Sequence, residues 1–170
     1  MKVSGKAVKY GDNINTDVII PSKYLTSLDP SEWARHAMEG IDPDFPRMAR
    51  EGVIVVAGRN FGCGSSREQA PQALKYAGVK CILAESFARI FYRNSINIGL
   101  PVLEAPGVAD KVSCGDLLTV YLDEGRIVNE SRGEVILANR LPDFILEIIR
   151  DGGLIEHLIK VMKAGKGNEV

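Results

Sequence analysis

The stretch VIVVAGRNFGCGSSREQAPQALKYAGVKCILA, residues 53–84, decides the fold class. It begins with a short apolar run that is rich in β-branched residues and closed by Gly58, the pattern of a strand buried on both faces. A helical pattern that ends at Gly78 follows, and a second apolar run occupies residues 79–84. Because such crossovers are right-handed and join parallel strands, the stretch predicts a β-α-β unit.

The same arrangement continues downstream. FARIFYRNSINIG, which ends at Gly99, predicts a second helix, and the apolar run at residues 100–104 predicts a third parallel strand. Pro71 lies inside the first helical pattern, where it removes a backbone donor, so we expect a kink in that helix.

The rest of the chain changes character after Gly107. LLTVYL, GRIVNES and GEVILA are short alternating segments that predict antiparallel strands, and GKAVKY near the N-terminus is expected to join them. Apolar residues at helical spacing in LPDFILEIIRDGG and LIEHLIKVMKAG predict two amphipathic helices. The expected fold class is therefore α/β, a single domain over residues 1–170 with a frayed polar tail at 164–170.

The segment from Tyr10 to Pro46 reads mostly as loop. A helix within it is expected to be capped by Asp29 or Ser31, with Pro30 in the first turn. Since its run IIPSKYL is too apolar for a disordered segment, we interpret this long loop as functional.

The composition limits the class of protein. With 170 residues, 45% of them hydrophobic, the chain suits one compact core. Lys and Arg number 21 against 22 Asp and Glu, so no general attraction to nucleic acid or to an anionic membrane is expected. The N-terminus lacks the apolar core of a signal peptide, and no apolar run is long enough to span a bilayer, so a cytoplasmic location is expected.

The cysteines and histidines predict no metal site. Cys63, Cys81 and Cys114 lie far apart, whereas the ligands of an iron–sulfur cluster usually include a closely spaced pair. We expect reduced thiols, with Cys81 buried as a small apolar residue. His36 and His157 are expected to be solvated or capping residues.

The segment GRNFGCGSSREQA, residues 58–70, carries the most chemical information. Its three glycines let a backbone approach a ligand, and a helix that begins near Ser65 would add a positive partial charge. Such a loop is typical of an anion site for a carboxylate or phosphate. A cation in a first helical turn opposes the helix dipole, so the position of Arg67 favours an anion opposite it.

A purely structural reading of the same residues stays open. Ser65 and Glu68 fit the capping box S-x-x-E, which requires no function. The loop lacks the third glycine of the dinucleotide fingerprint and the G-K-[ST] ending of a phosphate-binding P-loop. It also lacks the G-x-S-x-G motif of serine hydrolases.

Three motifs in the chain resemble a known family. NFGCGSSREQA, then AESFARIFYRNSINIGLP at residues 84–101, and NTDVIIP at residues 15–21, are similar to the small subunits of isopropylmalate isomerase and homoaconitase, and to the last domain of aconitase. The resemblance extends from about Gly5 to Gly153. It implies an aconitase-type swivelling β/β/α domain, in which short parallel strands with covering helices adjoin barrel-like antiparallel strands.

The resemblance also implies an activity. In this family a hydroxy di- or tricarboxylic acid is dehydrated and rehydrated, which moves its hydroxyl to the neighbouring carbon. A [4Fe–4S] cluster on the large subunit takes the hydroxyl, so we expect no cofactor on this chain and a large cluster-bearing partner, in a heterodimer or heterotetramer. By the same match Ser65 is the proton-abstracting base and Arg67 binds a substrate carboxylate. Ser66 is able to donate a hydrogen bond to the substrate or to continue the helix cap, and we expect the first.

The expected substrate depends on the loop Lys23-Tyr24-Leu25-Thr26. Relatives that act on longer tricarboxylates tend to carry an arginine after the Tyr-Leu pair, where this chain has Thr26. Tyr24 and Leu25 offer an apolar surface for an isopropyl group, so we expect 2-isopropylmalate as the substrate and, by the resemblance, leucine biosynthesis, although Lys23 is also able to serve a carboxylate. Homoaconitase, a dehydratase of another substituted malate, and a non-enzymatic anion-binding regulatory module are the alternatives.

Three charged residues near these motifs are expected to be structural. Arg89 and Arg93 are four positions apart, hence on one helix face. They are able to extend the positive site or to pair with Glu85 and other surface carboxylates, and we expect the second, structural role for both. Asp17 is expected to stabilise a turn.

Overall fold

The computed structural model describes residues 1–166 and contains seven strands and eight helices in that range. The strands are β1 Lys2–Lys9, β2 Val53–Ala57, β3 Val79–Ala84, β4 Val102–Glu104, β5 Leu117–Tyr121, β6 Arg126–Asn129 and β7 Glu134–Leu137. The helices are α1 Thr16–Ile19, α2 Pro30–Arg35, α3 Phe45–Ala49, α4 Gln69–Ala77, α5 Arg89–Asn97, α6 Val108–Lys111, α7 Asp143–Arg150 and α8 Leu154–Lys166, and Ser22–Tyr24 forms a 3₁₀ turn. The strands form one sheet in the order β4-β3-β2-β1-β5-β6-β7.

The parallel half of the sheet confirms the β-α-β-α-β prediction. Strands β2, β3 and β4 are neighbours and parallel, and α4 and α5 connect them. All five residues of β2 are buried, which explains its unbroken apolar sequence. Gly78 ends α4 with a φ of 117°, and a Cβ there would lie 2.1 Å from the Ala49 carbonyl oxygen, so both conformation and packing require glycine.

The antiparallel half is confirmed as well. Strands β5, β6 and β7 pair in sequence, and β1 lies at the centre of the sheet, antiparallel to β5 and parallel to β2. Just after β7, the Asn139 N–H donates to the Glu104 carbonyl at the end of β4, at 2.7 Å. The two edges of the sheet therefore meet at one end, so that the sheet curls towards a barrel.

The two predicted C-terminal helices are present as α7 and α8. Helix α8 continues to Lys166, and residues 167–170 of the predicted tail lie outside the described residues. In the earlier loop, Asp29 caps α2 by accepting from the Ser31 N–H at 2.8 Å, and Pro30 is the first helical residue, as predicted.

The predicted start of α4 is wrong. The helix begins at Gln69 instead of near Ser65, with Glu68 in the capping position and no side-chain cap. Pro71 is consequently the third helical residue, where an N–H group has no acceptor within the helix. The kink was expected because Pro71 cannot donate a backbone hydrogen bond. At this position the helix has no such hydrogen bond to lose.

Candidate active site

The candidate site is built on the loop at residues 58–68, which leaves β2 at the carboxyl end of the parallel strands. Segment 11–20 lies alongside this loop and forms backbone hydrogen bonds with it. The Gly58 N–H donates to the Gly11 carbonyl at 3.2 Å, and the Gly62 N–H donates to the Ile14 carbonyl at 2.7 Å. The inner side of the loop is thus fixed by the segment that contains NTDVIIP.

Two of the three loop glycines are required by packing inside the protein. A Cβ on Gly58 would lie 1.8 Å from Asp12 Oδ1, and one on Gly62, whose φ is 78°, would lie 2.1 Å from the Phe91 ring. The expectation that these glycines open the backbone to a ligand is therefore wrong for Gly58 and Gly62. Gly64, with a φ of 95°, is exposed.

Thr16 holds the loop on both sides of Gly64. Its N–H donates to the Cys63 carbonyl at 2.8 Å, and its hydroxyl donates to the Ser65 carbonyl at 3.0 Å. The residue is only 2% exposed. Sequence reasoning missed this role, although Thr16 lies inside the quoted NTD motif.

Gly64, Ser65 and Ser66 form the outer surface of the loop. All three are exposed, and within residues 1–166 neither their N–H groups nor the two serine hydroxyls donate a hydrogen bond. The capping-box reading of Ser65 and Glu68 is wrong, because the Ser65 hydroxyl caps no helix. The loop therefore offers open backbone and hydroxyl donors to an anion.

The Arg67 guanidinium is held in place by two partners within the protein. The Arg67 side chain is 15% exposed, and its guanidinium lies 2.5 Å from Asp17 Oδ1 and donates to the Ile20 carbonyl at 3.1 Å. A guanidinium has five N–H donors, so donors remain for a ligand. The turn that Asp17 was expected to stabilise is capped by Asn15, whose side chain accepts from the Val18 N–H at 2.9 Å. Asp17 instead orients Arg67.

The predicted recognition loop, residues 21–27, begins directly after Ile20. Lys23 and Thr26 are exposed, whereas Tyr24 and Leu25 are half-buried and pack against the core. Since Arg67 binds the Ile20 carbonyl, the structure brings the start of this loop to the Ser65–Arg67 segment.

Two polar side chains of this loop, Lys23 and Tyr24, are already engaged within the protein. The Tyr24 hydroxyl donates to Glu39 at 2.6 Å, and the Tyr24 ring stacks on His36 with 3.7 Å between centroids. The Lys23 ammonium lies 3.2 Å from the same carboxylate. Burial raises the pKa of Glu39, but hydrogen bonds from Tyr24, His36 and Lys23 outweigh it, and the pKa is lowered overall. A charged Glu39 therefore anchors Lys23 and Tyr24.

The cysteine side chains and the second histidine form none of the contacts described for this site; of Cys63, the backbone carbonyl takes part, as the acceptor for the Thr16 N–H. Cys81 is fully buried, as predicted, and burial raises the pKa of its thiol; Cys63 is half-buried and Cys114 exposed. His157 bonds Asp151 at 2.8 Å, far along the chain from the loop. In the described part of the chain, no group of three or more His, Cys, Asp or Glu side chains is placed to hold a metal ion.

The structural roles predicted for Arg89 and Arg93 are wrong. Glu85, their expected partner, accepts instead from the Gly107 N–H at 2.9 Å and the Ala109 N–H at 3.2 Å, at the start of α6. Both arginines are exposed, and neither forms an ion pair within residues 1–166.

Comparisons with known proteins show which family the chain resembles. The family model for the aconitase C-terminal domain matches residues 32–107, which include the candidate loop. The chain is 56% identical to the 3-isopropylmalate dehydratase small subunit of Halothermothrix orenii, over 93% of this chain and 96% of that protein. It is 51% identical to the isopropylmalate/citramalate isomerase small subunit of Methanocaldococcus jannaschii, over 94% and 95%.

A solved structure shows the same fold. The crystal structure of 3-isopropylmalate dehydratase from Methanocaldococcus jannaschii superimposes with a TM-score of 0.90 at 45% identity, covering 98% of this chain and 99% of that one. Among the helices described for residues 1–166, none has the length and apolar content that a membrane crossing requires.

Proposed function

The chain belongs to the family of 3-isopropylmalate dehydratase small subunits, and from this membership we propose that it interconverts 2-isopropylmalate and 3-isopropylmalate together with a large subunit, in leucine biosynthesis. One observation carries the proposal. In the segment Gly64–Arg67, exposed N–H groups and two serine hydroxyls that donate no hydrogen bond within residues 1–166 adjoin a guanidinium that is anchored by Asp17 and Ile20. This arrangement suits a substrate that carries carboxylates.

Ser65 is the proposed base. A serine hydroxyl is a very weak base at neutral pH, so its alkoxide requires fixed donors around it. The neighbouring N–H groups and the Arg67 guanidinium provide such donors in a loop that Thr16 already holds in place. The alkoxide takes a proton from the substrate carbon and becomes a neutral hydroxyl, and in the reverse direction this hydroxyl, whose proton exchanges with solvent, gives a proton back to the carbon.

Arg67 and Ser66 are the proposed substrate ligands. A guanidinium binds a carboxylate through two parallel hydrogen bonds, which fixes the orientation of the substrate as well as its charge. Asp17 and the Ile20 carbonyl hold the guanidinium before substrate arrives, so little ordering is required on binding. Ser66, whose hydroxyl is free and exposed, donates a further hydrogen bond.

The cluster is proposed for the large subunit. When bound there, a [4Fe–4S] cluster supplies a Lewis-acid iron that takes the substrate hydroxyl. The described residues of this chain offer no ligand set for it. The proposed assembly is a cytoplasmic heterodimer or heterotetramer that involves neither nucleic acid nor membrane.

The recognition loop supports a substrate with an apolar branch. Lys23 and Tyr24 are engaged by Glu39, and Thr26 carries no charge to meet a third carboxylate. Leu25 presents a partly exposed apolar side chain. Citramalate is a second candidate, because one relative is named an isopropylmalate/citramalate isomerase. Homocitrate, the homoaconitase-type substrate, is disfavoured by the same loop.

Anaerobic reconstitution tests the proposal. The chain is combined with the large subunit from its native cell, and interconversion of 2- and 3-isopropylmalate is measured against citramalate and homocitrate, with each subunit alone as the control. Activity with isopropylmalate that requires both chains is the expected result. A chain that binds carboxylates but supports no turnover would instead identify a regulatory module.

A further inference from the structure

A cleft of about 370 Å³ lies beside α5, where the curled sheet closes. Its walls include Phe87, Arg89, Tyr92, Arg93, Arg140 and Leu141. Leu141 is buried and the two aromatic residues are half-buried, so the cleft has an apolar floor beneath a rim of arginines. None of these side chains takes part in the proposed active site.

The rim is positively charged. Arg89 and Arg93 form no ion pair within the described residues, and Arg140 lies 3.0 Å from the exposed Asp143. Glu104 is the acidic residue in the wall, and its closest polar partner is the Asn139 amide at 3.4 Å. Within the described residues, Arg89 and Arg93 therefore have no ion-pair partner, and three arginines line the cleft against the one carboxylate of Glu104.

These arginines do not serve the helix that carries them. Arg89 is the first residue of α5, where a cation opposes the helix dipole, and the first turn contains no acidic residue. Arg93 lies four positions later on the same face, so the two positive charges repel each other. Both placements destabilise an isolated helix, which points to an anionic partner outside the described chain.

The cleft and the Ser65 loop lie side by side at the carboxyl end of the parallel strands. The turn between β3 and α5 is bonded to the Ser65 loop, since the Phe61 N–H donates to the Ser86 carbonyl at 3.0 Å and the Ala88 N–H donates to the Phe61 carbonyl at 2.9 Å. A large subunit that brings its cluster to Ser65 has to cover this end of the sheet. The surface next to the active site is therefore a natural continuation of that contact.

We propose that this cleft receives aspartate or glutamate side chains from an acidic segment of the large subunit. The inference rests on the proposed function, which supplies the partner. Arg89 and Arg93 pair with the carboxylates through bidentate hydrogen bonds, while Phe87, Tyr92 and Leu141 pack against the aliphatic parts of the same segment. The contact aligns the two subunits and steers their association.

The test is the double variant Arg89→Glu/Arg93→Glu, with association measured by titration calorimetry against the purified large subunit at low and high salt. Like-charge contacts should weaken association by about 100-fold at low salt and reduce its dependence on salt. Arg47→Glu/Arg50→Glu is the control, because it makes the same charge change within α3 and directly after it, at the opposite end of the parallel strands. It should change affinity by less than about twofold.

The outcomes separate this inference from the proposed function. A glutamate at the start of α5 complements the helix dipole. We therefore expect the melting temperature of the double variant to be unchanged, which would show that it folds. At saturating large subunit, kcat should match that of the wild type. Equal affinities of the wild type and the double variant for the large subunit would overturn the inference. It would also be overturned if the wild type bound inorganic phosphate and the double variant did not, while association with the large subunit stayed unchanged. A charge-dependent complex without hydro-lyase activity would leave the inference standing and reject the proposed function.

Discussion

The two segments that form the candidate site differ in how their polar groups are satisfied. In Gly64–Arg67, the inner side of the loop is bonded to Thr16, whereas the outer N–H and hydroxyl groups have no partner in the described chain. In the recognition loop, Lys23 and Tyr24 are already bonded to Glu39. We therefore expect the first segment to bind charge and the second to contribute shape.

This difference has a physical basis. Donors that are held in position before substrate binds need no reorganisation when charge develops, so they stabilise an alkoxide or a carboxylate efficiently. A donor atom that already takes part in a charged hydrogen bond, such as the Tyr24 hydroxyl, must break that bond before it serves a ligand, at a cost of about 1.5–3 kcal/mol. Substitutions in the two segments should accordingly have different kinetic signatures.

The largest effect is expected for Ser65→Ala in the reconstituted enzyme. Removing the base should lower kcat by about 10³-fold with KM nearly unchanged, because the interaction is needed only as the proton moves. The melting temperature should not change, since the exposed hydroxyl bonds to nothing in the described chain. Ser66→Ala is the matched control, with a smaller loss of activity. A lowered melting temperature with near-normal turnover would show that Ser65 is structural.

Arg67→Lys comes next. Lysine keeps the charge but cannot bond Asp17, Ile20 and a substrate carboxylate with one planar group, so KM should rise and kcat should fall. We expect kcat/KM to decrease by about 10²-fold, which corresponds to about 2.7 kcal/mol. Steady-state kinetics of Arg67→Lys measure the effect, with Arg47→Lys as a surface control. A decrease in kcat alone would exclude ground-state binding by Arg67.

Thr26→Arg tests the recognition loop. An unpaired guanidinium opposite an isopropyl group is unfavourable, while one opposite a carboxylate is favourable. The ratio of kcat/KM for homocitrate to that for isopropylmalate should rise by about tenfold. Thr26→Lys and Thr26→Gln separate charge from size. Identical ratios in all four proteins would mean that residue 26 does not reach the variable part of the substrate.

Glu39→Gln should have the smallest effect on catalysis and act on stability instead. It weakens the charged hydrogen bonds to Tyr24, His36 and Lys23, so the free energy of unfolding should fall by about 1–2 kcal/mol at neutral pH. Because the pKa of Glu39 is lowered in the folded state, its contribution is complete above the ordinary glutamate pKa of about 4.3. It is lost as the pH falls through the lowered value.

Urea denaturation of both proteins at several pH values measures this contribution. The difference in stability between wild type and Glu39→Gln should be largest near neutral pH and shrink in acid. A difference that does not depend on pH would show that the charge on Glu39 is not what holds the recognition loop.

The sequence predicted the sheet better than the site. Each parallel strand is marked by its own apolar run, such as VIVVA in β2, and local patterns suffice for that kind of element. The start of α4 was missed because the S-x-x-E pattern is local, whereas the Thr16 hydroxyl that holds the Ser65 carbonyl in the loop lies 49 positions away. The predicted pairing of Glu85 with Arg89 and Arg93 was wrong for the same reason, because backbone N–H groups at the distant start of α6 donate to its carboxylate.

The central claim is that Ser65 removes the proton from the substrate carbon, and isotope exchange tests it most directly. The reconstituted wild type and Ser65→Ala enzymes are incubated with 2-isopropylmalate in D₂O, and deuterium at the reacting carbon is followed by NMR. The account predicts that the wild type exchanges this hydrogen, and that exchange in Ser65→Ala falls by the same factor as turnover while substrate still binds. Exchange at the wild-type rate in Ser65→Ala would contradict it.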